Sequence, residues 1–287
     1  MDSILEIAER CKAPDGLDEL RKALPCDVSR ADANGMTPLH KAVMKDHPEM
    51  ARLLLEAKAD PLNGKLMDGR TDGSGCPLSL ALFYGKAKTC PELVDLFTHD
   101  LKECRNLREA AALGRPLQSF LEDGLHPTAY QRLGFYRPLE AFPERSMSPD
   151  TQLVLDEALS WAARNGQLDS MKQLVEVGAK VNSNPFRGTP LLWACFSDSA
   201  EAAAWLLEHE ADPNLKHDFG GEAHGSGSTA MHLAAQYSNL TCLKLLLERR
   251  ADANIKDDAF GGTPVGWAQH VSAQDSLEIL AKYGYKP

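Results

Sequence analysis

Thr37-Pro38-Leu39-His40-Lys41-Ala42 is followed by a second fixed point, Ala59-Asp60-Pro61-Leu62, whose last residue stands 25 positions after the threonine. The same 25-residue frame runs from Glu157 to Ala179-Lys180-Val181-Asn182, from Thr189 to Ala211-Asp212-Pro213-Asn214 and from Thr229 to Ala251-Asp252-Ala253-Asn254. Self-similarity at a period in the thirties is the mark of a repeat architecture, in which one supersecondary unit is copied and stacked. Inside each frame lie a small-residue segment, such as Leu233-Ala234-Ala235 or Trp161-Ala162-Ala163, and a leucine-rich one, such as Leu53-Leu54-Leu55 or Leu245-Leu246-Leu247.

These residue types predict two helices per copy. A threonine ahead of the first helix caps free amide groups, and the proline beside it fits the first turn, where its missing N–H costs nothing. The alanines allow close helix approach. In the second segment leucines recur at i, i+3 and i+4 and give one apolar face, which a single helix pair cannot bury without a neighbour. Stacking follows. Gly178 and its counterparts come where a left-handed C-cap is wanted, and the chain then turns outward through Ala-Asp-Pro-Asn.

The Thr-Pro-Leu-His-x-Ala motif and its degenerate copies resemble the ankyrin-repeat family over most of the chain. Counted at the threonine position, copies begin at Thr37, Cys76, Arg105, Glu157, Thr189, Thr229 and Thr263, at intervals of 39, 29, 52, 32, 40 and 34 residues. The resemblance implies an all-α solenoid of helix-turn-helix pairs with β-hairpin fingers, about seven repeats plus an N-terminal cap. Residues 1–30 are expected to form capping helices, with Ile4 to Lys12 and Leu17 to Leu24 helical. Residues 31–127 then carry repeats one to three, 128–152 an inserted segment packed on the solenoid, and 153–287 repeats four to seven. The second copy is expected to have a long helix-helix loop around Ala87 to Pro91. The third, Leu107 to Gly124, is shortened, with Pro116 opening its second helix.

Composition fits a packed, soluble protein: 287 residues, 43% hydrophobic. The sequence holds no apolar run near the roughly 18 residues that cross a bilayer. The acidic amphipathic start, Met1 to Glu6, lacks the pattern of a secretory signal. Seven cysteines without a C-x-x-C pair suit reduced thiols and a cytoplasmic location. A net charge of −10 with dispersed basic residues argues against nucleic acid and toward a basic or neutral partner surface. No cofactor, metal or membrane is expected, and the chain is expected to be monomeric.

Four insertions lengthen the turns between copies: Asn63 to Ser74, Thr128 to Gln152, Leu215 to Gly227 and Ile255 to Gly261. In the family these turns are fingers on one side of a concave groove, and the residue pair before each helix-helix turn faces that groove. Read on this sequence, the pairs supply Phe83, Tyr84, Phe196, Tyr237 and His270, an aromatic and imidazole strip suited to anchoring a partner. Phe186, Arg187, Phe219 and Phe260 are expected at the finger rim. The resulting expectation is a non-enzymatic module that binds a partner protein through groove and fingers.

The competing expectation is an enzyme or small-molecule binder with a pocket at His217, Asp218, Glu222 and His224. These are acid-base and metal-ligand types within eight residues, at a spacing that matches no established metal motif. Trp161, Trp193 and Trp267 share one repeat position and are read as core packing. His40 and His232 take the signature histidine place, where the family uses the ring to bond between repeats; Leu192 and Gly266 replace it elsewhere.

Overall fold

The computed structural model describes residues 4–10, 15–24, 26–32, 35–62, 76–122, 126–127, 151–185, 187–217 and 226–285. They fall into two compact units that meet in sequence between Cys104 and Arg105. In the first, α1 (Ile4–Arg10) and α2 (Asp15–Ala23) precede the pair α3 (Pro38–Met44) and α4 (Pro48–Glu56), then α5 (Pro77–Phe83), α6 (Lys86–Thr89) and α7 (Pro91–Thr98). Helix α1 packs on both α2 and α3, as an N-terminal cap should.

The second unit opens with α8 (Leu107–Leu113), a 3-10 turn at Gln118–Phe120 and a two-residue antiparallel ladder of β1 (Leu121–Glu122) with β2 (His126–Pro127). Four pairs follow: α9 (Thr151–Arg164) with α10 (Leu168–Glu176), α11 (Pro190–Phe196) with α12 (Ala200–Glu208), α13 (Ala230–Gln236) with α14 (Leu240–Glu248), and α15 (Pro264–His270) with α16 (Gln274–Lys282). First helices pack on first helices, α8 on α9, α9 on α11, α11 on α13 and α13 on α15, and second helices pack likewise from α10 to α16.

The residues that predicted these helices do the work expected of them. Prolines 38, 77, 190 and 264 each open a first helix. The hydroxyls of Thr189 and Thr263 accept from the amides of Leu192 and Gly266, each at 3.3 Å. Among the described residues, the turns between paired helices from α3 onward pass through one left-handed residue, as at Asp46, Gly166, Asp198, Ser238 and Ser272. A side chain in that region costs about 1 kcal/mol. The turn offsets it with a bond from the next amide back to a helix alanine: Ser199 to Ala194 at 2.9 Å, Asn239 to Ala234 at 2.9 Å and Ala273 to Ala268 at 2.8 Å. The small residue at that position is therefore part of the turn as well as of the packing.

Side chains also link successive pairs. Asn182 accepts from the Asp212 amide at 2.9 Å, and Asn214 from the Asp252 amide at 2.9 Å. At the other end of the pairs, Asn239 donates to the carbonyls of Cys195 and Phe196, both at 2.8 Å, and Asp198 accepts from the Cys242 amide at 2.8 Å.

Three local expectations are corrected. The stretch read as an open loop from Ala87 contains α6, a single helical turn. Among the described residues no second α-helix follows Pro116: the chain makes the 3-10 turn and the short ladder instead. Thr151 and Gln152, read as the end of the inserted segment, are the first residues of α9, which runs 14 residues. The remainder of that segment, from residue 128, lies outside the described residues.

Candidate partner-binding surface

Two sets of side chains in the second unit reach the surface from rigid elements. The first is a chain of edge-on rings at the ends of first helices. Trp193 on α11 is buried; its ring lies 5.6 Å from Phe196, which lies 5.3 Å from Tyr237 at the end of α13. Tyr237 is 48% exposed, and Val271, at the same place after α15, is 43% exposed beside exposed His270. The row therefore runs from core to solvent, and T-shaped packing on Phe196 holds the Tyr237 ring in place.

The second set is a finger built on Asp257, a residue that the sequence analysis passed over. Its carboxylate accepts from the amide of Phe260 at 2.6 Å, the amide of Gly262 at 2.7 Å and the indole Nε1 of Trp267 at 2.9 Å. Burial pushes this carboxyl up, yet those three donors, with the nearby His232, hold it below its ordinary value of 3.8. The turn so formed carries Phe260, 71% exposed, at its tip. It leans on the preceding finger: the amides of Asp258 and Ala259 donate to the Ser226 carbonyl at 2.8 and 3.2 Å, and Lys216 pairs with Asp258 at 2.5 Å. Gly227, at φ 80°, is required there, because a Cβ would stand 2.4 Å from the Asp258 amide nitrogen.

The signature histidine joins finger to helices. The Thr229 amide donates to His232 Nδ1 at 3.0 Å, so Nε2 carries the hydrogen and donates to the Gly262 carbonyl at 3.1 Å. Burial lowers the pKa of His232. At His40 the same capping geometry appears, with the Thr37 amide donating to Nδ1 at 3.0 Å.

A charged layer lies inside. Arg164, 1% exposed, sets its guanidinium 3.6 Å from the Trp193 ring and 5.8 Å from Trp161. Arg108 lies 5.4 Å from Trp161 and 3.4 Å from Glu157, while Arg105 pairs with Glu109. Trp161 and Trp193 are thus core residues, as read from the sequence; Trp267 is half-buried and tied to Asp257.

Other expected positions divide. Phe83 is corrected from a groove anchor to a core residue: it is 4% exposed, on the buried side of α5, with Tyr84 edge-on at 5.1 Å and half-buried. Arg187 is half-buried, in a left-handed conformation at φ 57°. Phe186 and Phe219 lie outside the described residues, as do Asp218, Glu222 and His224 of the alternative pocket. His217 is buried in an antiparallel bridge with Ser228, its amide donating to the Ser228 carbonyl at 2.9 Å. It closes the neck of a finger. Among the described residues no group of His, Cys, Asp and Glu could hold a metal ion, and no helix is long and apolar enough to cross a membrane.

Stacked helix pairs, left-handed turns within them and bonded fingers after them define a stacked helical-repeat scaffold. A family model described as ankyrin repeats (3 copies) matches residues 6–103, 147–217 and 216–287, and the chain belongs to the ankyrin-repeat family. Ankyrin repeats are generally protein–protein interaction modules. Among its relatives, neurogenic locus notch homolog protein 1 of Homo sapiens is 39% identical over 101 residues, 33% of this chain and 4% of the relative. Inversin of Gallus gallus is 32% identical over 124 residues, 42% of this chain and 10% of the relative. The transient receptor potential channel pyrexia of Drosophila melanogaster is 37% identical over 99 residues, 34% of this chain and 10% of the relative. The chain thus spans a small part of the length of the relatives it matches.

Proposed function

We propose that this chain is a non-catalytic binding module that takes a partner protein on the unit beginning at Arg105, with Phe196, Tyr237 and His270 at the first-helix ends and Phe260 at the finger tip as contacts. One observation carries the reading: Tyr237 and Phe260 are large, exposed rings, the first packed edge-on against Phe196 and the second carried on a backbone turn fixed by hydrogen bonds to Asp257. Anchors of this kind dominate interface energies because they add much buried area while little freedom remains to be lost. Phe186, Arg187 and Phe219 are proposed as secondary contacts of this unit, and Tyr84 as a contact of the first unit. Seven cysteines with no C-x-x-C pair suit a reducing cytoplasm.

The test is affinity capture from native lysate with the intact chain beside a Tyr237→Ala/Phe260→Ala variant of wild-type circular dichroism, followed by mass spectrometry. The reading expects a protein retained by the intact chain and lost by the variant. Equal retention by both would place binding elsewhere.

A further inference from the structure

The surface at the first-helix ends has a charge character of its own. Within its three successive turns, at residues 196–198, 236–238 and 270–272, the described side chains include one carboxylate and no ammonium or guanidinium group. That carboxylate, Asp198, is half-buried and already accepts the Cys242 amide at 2.8 Å. Arg164, at the corresponding end of α9, is drawn inside over Trp193. What faces solvent is Tyr237, Ser238, His270 and Val271, with Gln236 and Phe196 half-buried beside Tyr237. The chain carries a net charge of −10, and of its carboxylates this strip holds a single one, half-buried and already accepting an amide hydrogen bond.

The spacing is equally specific. Helices α11, α13 and α15 pack successively, and packed helix axes stand about 9 Å apart. An extended chain of the polyproline-II type rises about 3.1 Å per residue with three residues per turn, so side chains three residues apart share one face and span about 9 Å, one helix to the next. A helical occupant would need about six residues for the same step, at 1.5 Å each. We propose that the strip receives an extended, uncharged segment of the partner protein, with apolar side chains three residues apart, one seated against Phe196 and Tyr237 and the next against Val271. The glutamine, serine and imidazole groups between them then meet its backbone. This rests on the partner-binding reading above and names the partner's chemistry.

The experiment uses the purified full chain and a displayed library of random peptides of about twelve residues, long enough to cross all three helices when extended. Expected are enriched peptides with two apolar residues three apart and no Lys, Arg, Asp or Glu between them. Their affinity should fall at least tenfold on Tyr237→Ala and on Val271→Glu, each checked for wild-type unfolding, and should change less than about twofold between 0.15 and 1 M salt, where screening removes charge attraction. Tyr237-dependent peptides that are basic and lose tenfold or more in salt would overturn the proposal while leaving the partner-binding reading intact, as would apolar residues about six or seven apart. Failure to enrich any Tyr237-dependent peptide would overturn the proposal of an extended segment, while the partner-binding reading is decided separately by the lysate capture.

Discussion

Replacing Asp257 with alanine is the most informative single perturbation of the finger. It removes one acceptor group from three donors, the amides of Phe260 and Gly262 and the Trp267 indole. Hydrogen bonds to an ionised acceptor contribute about 1.5–3 kcal/mol each, and less where water can replace the acceptor, so about 1 kcal/mol apiece is a conservative value for this half-shielded turn. The loss is then about 3 kcal/mol. It spreads beyond the finger, because the Gly262 carbonyl is the acceptor for His232 on α13. Urea unfolding followed by tryptophan fluorescence measures it, since Trp267 reports the turn itself. The sign with pH is also fixed. The folded carboxyl sits below its ordinary value of 3.8, so its contribution is present above that pH and is lost as the pH falls below it. Asp257→Asn should flatten that acid limb while also losing stability, because its amide nitrogen faces further donors. An alanine variant within about 0.5 kcal/mol of wild type would refute the assignment of Asp257 as the keystone of this turn.

Other outcomes follow from the same geometry. Burial depresses the folded pKa of His232, so the unfolded chain takes up the proton first and stability should decline as the pH falls below the ordinary value of 6.5; urea unfolding of His232→Gln should show that slope reduced. Gly227→Ala should cost about 1–3 kcal/mol and loosen the paired fingers, seen as faster proteolysis near residue 226, because its Cβ meets backbone at a positive φ. Arg164→Met should lose about 2 kcal/mol, the scale of a desolvated cation–π contact, in thermal or urea unfolding.

The helix pairs were readable because their determinants are local. A threonine, a proline, small residues and a leucine face recur within 25 positions, and α3, α11 and α15 begin where the motif places them. The failures came where a local signal had two outcomes. Lys86 to Thr89 sits between Gly85 and Pro91, punctuation that reads as loop, yet one helical turn fits between them. Phe83 shares a repeat position with exposed His270, but periodicity cannot tell which copy is covered. The Arg164–Trp193 stack joins residues in different copies, so only superposing neighbouring repeats would have revealed it. Asp257 had a local signal, an aspartate followed by paired glycines at 261 and 262, which is turn chemistry of the kind that aspartate carboxylates cap.

The claim that matters most is that Tyr237 and Phe260 are displayed for a partner and contribute little to the fold. Urea unfolding of Tyr237→Ala/Phe260→Ala beside Leu246→Ala tests it without knowing the partner. Leu246 is fully buried, and its truncation should cost about 2–5 kcal/mol. The account predicts that the double variant loses less than about 1.5 kcal/mol, the scale of one ring-on-ring contact with Phe196. A loss as large as that of Leu246→Ala would contradict it and make both rings part of the core.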